Sequence, residues 1–288
     1  MKIGLNVTTL SESMDVATMA KKAEDLGFAS FTMPEHIVIP VNSKSRYSGY
    51  PGSSDDGTIP EFMYNMVDPF IALARASAVT RKMRLGTSIC LIPEHNPLLL
   101  AKRISTLDHF SGGRFSFGIG TGWLREECEL MGGDFDHRWS QAREAVLAMK
   151  ELWTKEEAEF HGKYYDFPPV RSYPKPVQKP HPPVILGGSA ANALKRVVAW
   201  GDGWMPSHRT VGQIETARLA LDQMATSAGR DPRSIEIIVF GQEPDPDLVN
   251  RFQEVGASRV DIRLPPPSGP EVLHELEGIA HQLREHML

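Results

Sequence analysis

Glu35 and His36 stand side by side where a short apolar run, Ala29-Ser30-Phe31-Thr32-Met33, gives way to a long polar stretch. An imidazole titrates near neutral pH and can take or give a proton, so His36 is the candidate acid–base group of this chain. The alternative is a histidine hydrogen-bonded into the following loop. Two glycine junctions offer a different chemistry. In the run SGGRFSFGIGTGW (111–123), Phe115, Phe117 and Ile119 alternate with Ser116, Gly118 and Gly120, the two-residue period of a strand with one bulky and one bare face. Gly120-Thr121-Gly122 then leads into a new helix, and the free N–H groups of a helix start suit a polar or anionic ligand. The bare face has two explanations: close approach of a ligand, or room for large neighbours in a barrel interior. The second junction, Leu186-Gly187-Gly188-Ser189, likewise passes from strand to helix and suits a phosphate. Two such junctions point to one extended, phosphorylated ligand. The spacing G-x-G-x-G is not the dinucleotide fingerprint, because Trp123 occupies the third-glycine position.

Other chemistries find less support. There is no His-x-His on an early strand and no His-Glu-x-x-His, so no metal is expected. The absence of a Gly-x-Ser-x-Gly elbow argues against a serine hydrolase. Cys90 falls in a core strand and Cys128 on a helix, with nothing beside either to lower its pKa. His95 precedes the helix-start pair Asn96-Pro97 and reads as structural.

Eight strands must carry these groups. The patterning predicts them at 2–7, 29–33, 84–91, 115–120, 183–186, 203–205, 234–240 and 259–264. Helical patterns alternate with them at 15–26, 69–79, 97–110, 123–153 (broken near Gly132-Gly133), 190–200, 211–228, 247–255 and about 270–286. This alternation over 288 residues favours an α/β fold, a closed (β/α)8 TIM barrel, over an open sheet. No linker composition divides the chain, so one domain spanning 1–288 is expected. Two stretches interrupt the pattern: residues 37–66, rich in Gly, Pro and Ser, after strand two, and the proline-rich residues 155–182 before strand five. The first lies at a strand C-terminal end, where barrel enzymes place their sites, and is expected to be an active-site lid.

The bulk properties set limits. A net charge of −5 without a basic stripe gives no nucleic-acid partner. No apolar run is long enough to span a membrane, and the N-terminus has no signal-peptide core. Two cysteines make no disulfide framework, so the expected setting is the reducing cytoplasm.

Three runs resemble the bacterial luciferase-like monooxygenase superfamily, and within it the branch of oxidoreductases dependent on the deazaflavin coenzyme F420. They are LGTSICLIPEHNPLLLAKRISTLDHFSGGRFSFGIGTGW (85–123), GKYYDFPPVRSYPKPVQKPHPPVILGGS (162–189) and AWGDGWMP (199–206), in the family's order and spacing. The resemblance implies a (β/α)8 barrel with insertions, a homodimer, and transfer of a hydride between the deazaflavin C5 and a small organic molecule. It places the ring near Glu35 and His36, with His36 exchanging the proton. It implies a non-proline cis peptide at Ser88–Ile89 behind the ring, contacts from Gly120, Thr121 and Gly122 to cofactor or substrate, and the cofactor phosphate on Gly187, Gly188 and Ser189. Relatives that oxidise sugar phosphates carry a glutamate where this chain has Trp123, which implies an aromatic wall and a more hydrophobic substrate. Glu35 likewise replaces an aspartate common in that branch. FMN shares the phosphate and the tricyclic ring, so an FMN-dependent monooxygenase is the alternative. A non-catalytic flavin-binding protein on the same barrel is a third.

Overall fold

The computed structural model describes every residue except 48–56, 189–191, 207–208, 265–268, 270 and 288. It opens with β1 (Lys2–Val7), α1 (Val16–Asp25), β2 (Ser30–Met33), α2 (Pro69–Val79), β3 (Arg84–Thr87), β4 (Cys90–Leu91) and α3 (Pro97–Ser111). Next come β5 (Phe115–Gly120), α4 (Arg125–Leu130), α5 (Arg138–Thr154), β6 (Ala158–His161) and β7 (Asp166–Val170). Then follow β8 (Val184–Gly187), α6 (Ala193–Trp200), β9 (Gly203–Met205), α7 (Val211–Ser227), β10 (Glu236–Gln242), α8 (Pro246–Glu254), β11 (Arg259–Leu264) and α9 (Glu271–Gln282).

Parallel pairing runs β3-β2-β1-β11-β10-β9-β8-β5-β4, and β3 also pairs with β5, so the sheet closes on itself. β3 and β4 form one wall interrupted at Ser88-Ile89. Counted so, the barrel has the eight strands that the alternation predicts. Every residue of β2, β5, β8 and β9 is buried, because helices cover the outside and side chains fill the inside. The helix starts are fixed locally. Asp15, Asp68 and Asn96 cap α1, α2 and α3 by accepting from the N–H groups of Thr18, Ile71 and Leu98, each cap contributing about 1 kcal/mol. Among the described residues, no helix is long and apolar enough to cross a membrane.

β5 shows why one strand face is bare. Phe117 faces outward, its ring edge-on to Trp153 of α5 at 6.3 Å. Inside, a Cβ on Gly118 would stand 2.0 Å from the Thr87 carbonyl oxygen, and one on Gly120 would stand 1.9 Å from Ile89 Cδ1. Barrel packing therefore accounts for both glycines on its own.

Residues 155–182 depart from the expected irregular insertion. They contain the antiparallel hairpin β6–β7, with Phe160 stacked on Phe167 at 6.4 Å. Strands of four and five residues, with Pro168 and Pro169 inside β7, hide it from periodicity. Downstream, Gln178 Nε2 donates to Asp108 Oδ1 (2.7 Å) and to the Phe115 carbonyl (2.7 Å), which straps this stretch to α3 and β5.

Candidate active site

A cavity of about 470 Å³ opens at the C-terminal ends of the barrel strands. It brings together Glu35, His36, Ser88, Ile89, Gly120, Thr121, Gly122, Trp123, Gly187 and Gly188, residues far apart in the chain. Ser189 lies outside the described residues.

One end of this cavity is acidic. β2 ends at Met33, and the turn Pro34-Glu35 carries His36 to the rim. His36 Nδ1 lies 2.6 Å from Glu127 Oε2, while Glu127 Oε1 accepts from the Ile37 N–H (2.7 Å) and the Val38 N–H (3.1 Å). On the other side of the ring, Trp123 Nε1 donates to His36 Nε2 at 3.4 Å. An indole N–H is a donor only, so Nε2 is the acceptor and Nδ1 carries the proton given to Glu127. Trp123 is therefore more than an apolar wall: it hydrogen-bonds His36 and meets Tyr47 edge-on at 5.1 Å.

Tyr47, Phe62, Met63 and Met66 all come from the first insertion and line the same cavity, which is the position a lid requires. Its near end is pinned by α4. Glu126 accepts from Ser43 Oγ (3.1 Å), the Lys44 N–H (2.6 Å) and the Ser45 N–H (3.2 Å). Burial alone would raise the Glu126 carboxyl, but the hydrogen bonds from Ser45 and Lys44 outweigh it and pull its pKa down to about 2. The Arg125 N–H, at the start of α4, donates to Ser45 Oγ at 3.2 Å. One free N–H of the helix start after Gly120-Thr121-Gly122 is thus taken by the insertion, which corrects the picture of an open anion site there.

Glu35 sits deeper. Its Oε2 accepts from the Leu91 N–H at 2.7 Å and lies 3.0 Å from His95 Nε2. Burial pushes this carboxyl up, yet the bond and charge of His95 together with the Leu91 N–H hold it below the ordinary range. Glu35, Cys90 and His95 bring ligand-type atoms within 4.8 Å of one another. Burial and the Glu35 charge raise the Cys90 thiol well above its usual value. The trio is a hydrogen-bonded group that fixes β4 below the cavity. The Ser88–Ile89 peptide is cis, the bond the family resemblance implied, and Ser88 Oγ accepts from Asn6 Nδ2 at 2.5 Å.

The other end is cationic. Gly188 has φ +90°, which only glycine takes easily, and its carbonyl accepts from Trp204 Nε1 at 2.8 Å. Arg138 and Trp139, from the first turn of α5, line the cavity beside it. The Arg138 guanidinium lies 4.0 Å over the Phe135 ring, and Arg196 of α6 lies 4.3 Å over Trp139. Arg138 Nε and a terminal nitrogen of Arg196 are buried without a hydrogen-bond partner among the described residues. Neither arginine was singled out from the sequence. The available signal is Arg138 in the first turn of a helix, where a cation opposes the helix dipole unless an anion is nearby.

Residues 4–242 match the family model for luciferase-like monooxygenases. This chain belongs to the luciferase-like monooxygenase family. The uncharacterized protein Rv0953c of Mycobacterium tuberculosis is 37% identical to this luciferase-like chain over 285 residues, 98% of this chain and 99% of that one. Two solved structures share the fold over the full length of both chains. They are the monooxygenase RslO1 from Streptomyces bottropensis (TM-score 0.79, 20% identity) and the coenzyme F420 dependent tetrahydromethanopterin reductase from Methanopyrus kandleri (TM-score 0.75, 16% identity).

The cavity of this luciferase-like barrel fits a phosphorylated tricyclic cofactor. An unpartnered Arg138 nitrogen in the cavity that holds the glycine turn suits phosphate oxygens, and Arg196 lies over Trp139 of the same wall. Ile89, Trp139, Met205 and Phe240 give apolar surface for a planar ring, and His36 lines the same cavity.

Proposed function

We propose that this luciferase-like protein is an oxidoreductase that binds coenzyme F420 and transfers a hydride between the deazaflavin C5 and a hydrophobic organic substrate. The observation that carries this reading is the orientation of His36: Nδ1–H is committed to Glu127, and Nε2 is an acceptor on the cavity side. A hydride leaving a carbinol carbon must be matched by a proton leaving its oxygen. His36 Nε2 takes that proton as the long 3.4 Å bond from Trp123 Nε1 gives way to it, and the buried Glu127 carboxylate balances the imidazolium; in the opposite direction the imidazolium returns it. The bound cofactor supplies the hydride-accepting and hydride-donating carbon.

The remaining residues position and exclude. Ser88, Ile89, Gly120, Thr121 and Gly122 wall one side of the ring, with Glu35 holding β4 beneath them. Gly187, Gly188 and Ser189, with Arg138 and Arg196, take the phosphate. Trp123, Tyr47, Phe62 and Met66 close an aromatic and thioether surface over the substrate, which favours an apolar molecule and keeps water out. Ile71 on α2 with Leu99 and Phe110 on α3 leave large apolar side chains exposed, which supports a homodimer through these helices.

Titration of cofactor-free protein with F420 and with FMN tests the reading. F420 is expected to bind at least ten times tighter. The reverse preference replaces it with an FMN-dependent monooxygenase; the name of RslO1 carries monooxygenase activity.

A further inference from the structure

Glu94 is a buried carboxyl that the proton transfer above does not use. It closes the 3-10 turn Ile92–Glu94, is 3% exposed, and neither of its oxygens has a hydrogen-bond partner among the described residues. An ionised carboxylate left so would be very costly, so the group must be neutral or share a proton. Its Oε1 lies directly under the cavity turn, because a Cβ on Gly122 would stand 3.1 Å from it. Its side chain stands against Glu127. Glu127 in turn is committed to His36 through Oε2 and to the Ile37 and Val38 N–H groups through Oε1. Among the described residues, the donor available between these two buried carboxyls is a shared proton.

We propose that Glu94 is a positioning residue for His36. As the neutral acid it donates its proton to the Glu127 carboxylate and leaves the pair one negative charge, which keeps His36 Nδ1–H on Glu127 and Nε2 facing the cavity. The idea rests on the role given to His36 above. Burial first, then the charges of Glu127 and Glu35, raise the Glu94 pKa to about 9. Glu127 and Glu35 act on it directly, and Cys90 and Cys128 feel its charge; behind these, His36 bonds Glu127, His95 bonds Glu35, and Arg138 acts on Cys128. The direction follows from the sign. An acid raised from 4.5 stays neutral through physiological pH and ionises only as the pH climbs through about 9. A second charge then appears beside Glu127 and disturbs its bond to Nδ1.

Ring-nitrogen NMR of 15N-histidine-labelled, cofactor-free protein between pH 6 and 10 tests this, with His36 assigned by its loss in His36→Asn. Wild type is expected to show the Nδ1–H tautomer and a step near pH 9. Glu94→Gln, which donates but does not ionise, keeps the tautomer and loses the step. Glu94→Leu, which cannot donate, loses the tautomer preference. Superimposable His36 signals in wild type and Glu94→Gln across the range overturn the proposal. Should Glu94→Leu fail to fold, infrared spectroscopy decides: a protonated-carboxyl carbonyl band at pH 7, present in wild type and missing in Glu94→Gln, is required, and its absence in wild type overturns the proposal. In turnover assays the alkaline limb of kcat/KM near pH 9 disappears in Glu94→Gln. The NMR result is read without cofactor, so a wrong cofactor assignment leaves it standing.

Discussion

The two ends of the cavity are built on opposite principles. At the β2–β5 end, carboxyl groups are buried and tied to backbone N–H groups and to histidines: Glu127 to His36, Glu35 to His95. At the β8–α5 end, guanidinium groups lie over aromatic rings with nitrogens left without partners. The bonds of Glu127 and Glu35, completed by the proton proposed above to lie between Glu94 and Glu127, hold one geometry and one protonation pattern, which is what moving a proton at a stated atom demands. Unspent donors beside a glycine turn hold nothing until an anion arrives. In the function proposed above, the difference separates chemistry from anchoring along a single cavity.

The sharpest way to break that separation is to remove each end in turn. His36→Ala should lower kcat by about 10²- to 10⁴-fold, the usual range for losing an acid–base group, with the cofactor Kd changed less than about threefold. Stopped-flow turnover beside a fluorescence titration measures both. An equal loss in Kd would mean that the acidic end also anchors. The double variant Arg138→Ala/Arg196→Ala should do the opposite. Charge-assisted hydrogen bonds are worth about 1.5–3 kcal/mol each, so Kd should rise by about 10- to 100-fold or more. Its kcat at saturating cofactor should fall far less. A Kd that stays put would remove both arginines from the phosphate site.

How far the sequence reaches also differs between the two ends. The eight-stranded barrel was legible because strands such as FSFGIG and helix starts such as Asn96-Pro97 carry their own local signals. His36, Trp123 and the glycine pair 187–188 were legible because they sit at strand ends or in turns. The partners that make them work were not. Glu127 lies in the run Arg125-Glu126-Glu127-Cys128, which looks like a solvated helix face, yet Glu127 is fully buried while its neighbour Glu126 is not. Arg138 and Arg196 lie on different helices, 58 residues apart in the chain. Burial and pairing arise only when the barrel closes and brings α4 and α5 over the β4–β5 wall. The same closure explains Gly120, whose missing side chain makes room for Ile89.

Trp123 lets the comparison be sharpened within the acidic end. Trp123→Phe keeps the aromatic wall against Tyr47 but deletes the N–H given to His36. The bond is long at 3.4 Å, so its loss should cost about 1 kcal/mol or less, a change in kcat of no more than about fivefold. A larger fall would mean that the indole N–H fixes the His36 tautomer more firmly than Glu127 does.

The smallest effect is expected at Glu126, which ties the insertion to α4 without touching the proton path. Its folded pKa of about 2 lies below the ordinary 4.5. The stabilisation is therefore present above about pH 4.5 and is lost as the pH falls through about 2. The group is partly open to solvent, so its share of global stability is under about 1 kcal/mol. Amide hydrogen exchange reports it locally. In Glu126→Gln, the Lys44 and Ser45 amides should exchange several-fold faster than wild type at pH 7, and the two proteins should converge near pH 2. A Glu126→Gln variant that instead loses turnover as strongly as His36→Ala would show that holding the lid and moving the proton are one function.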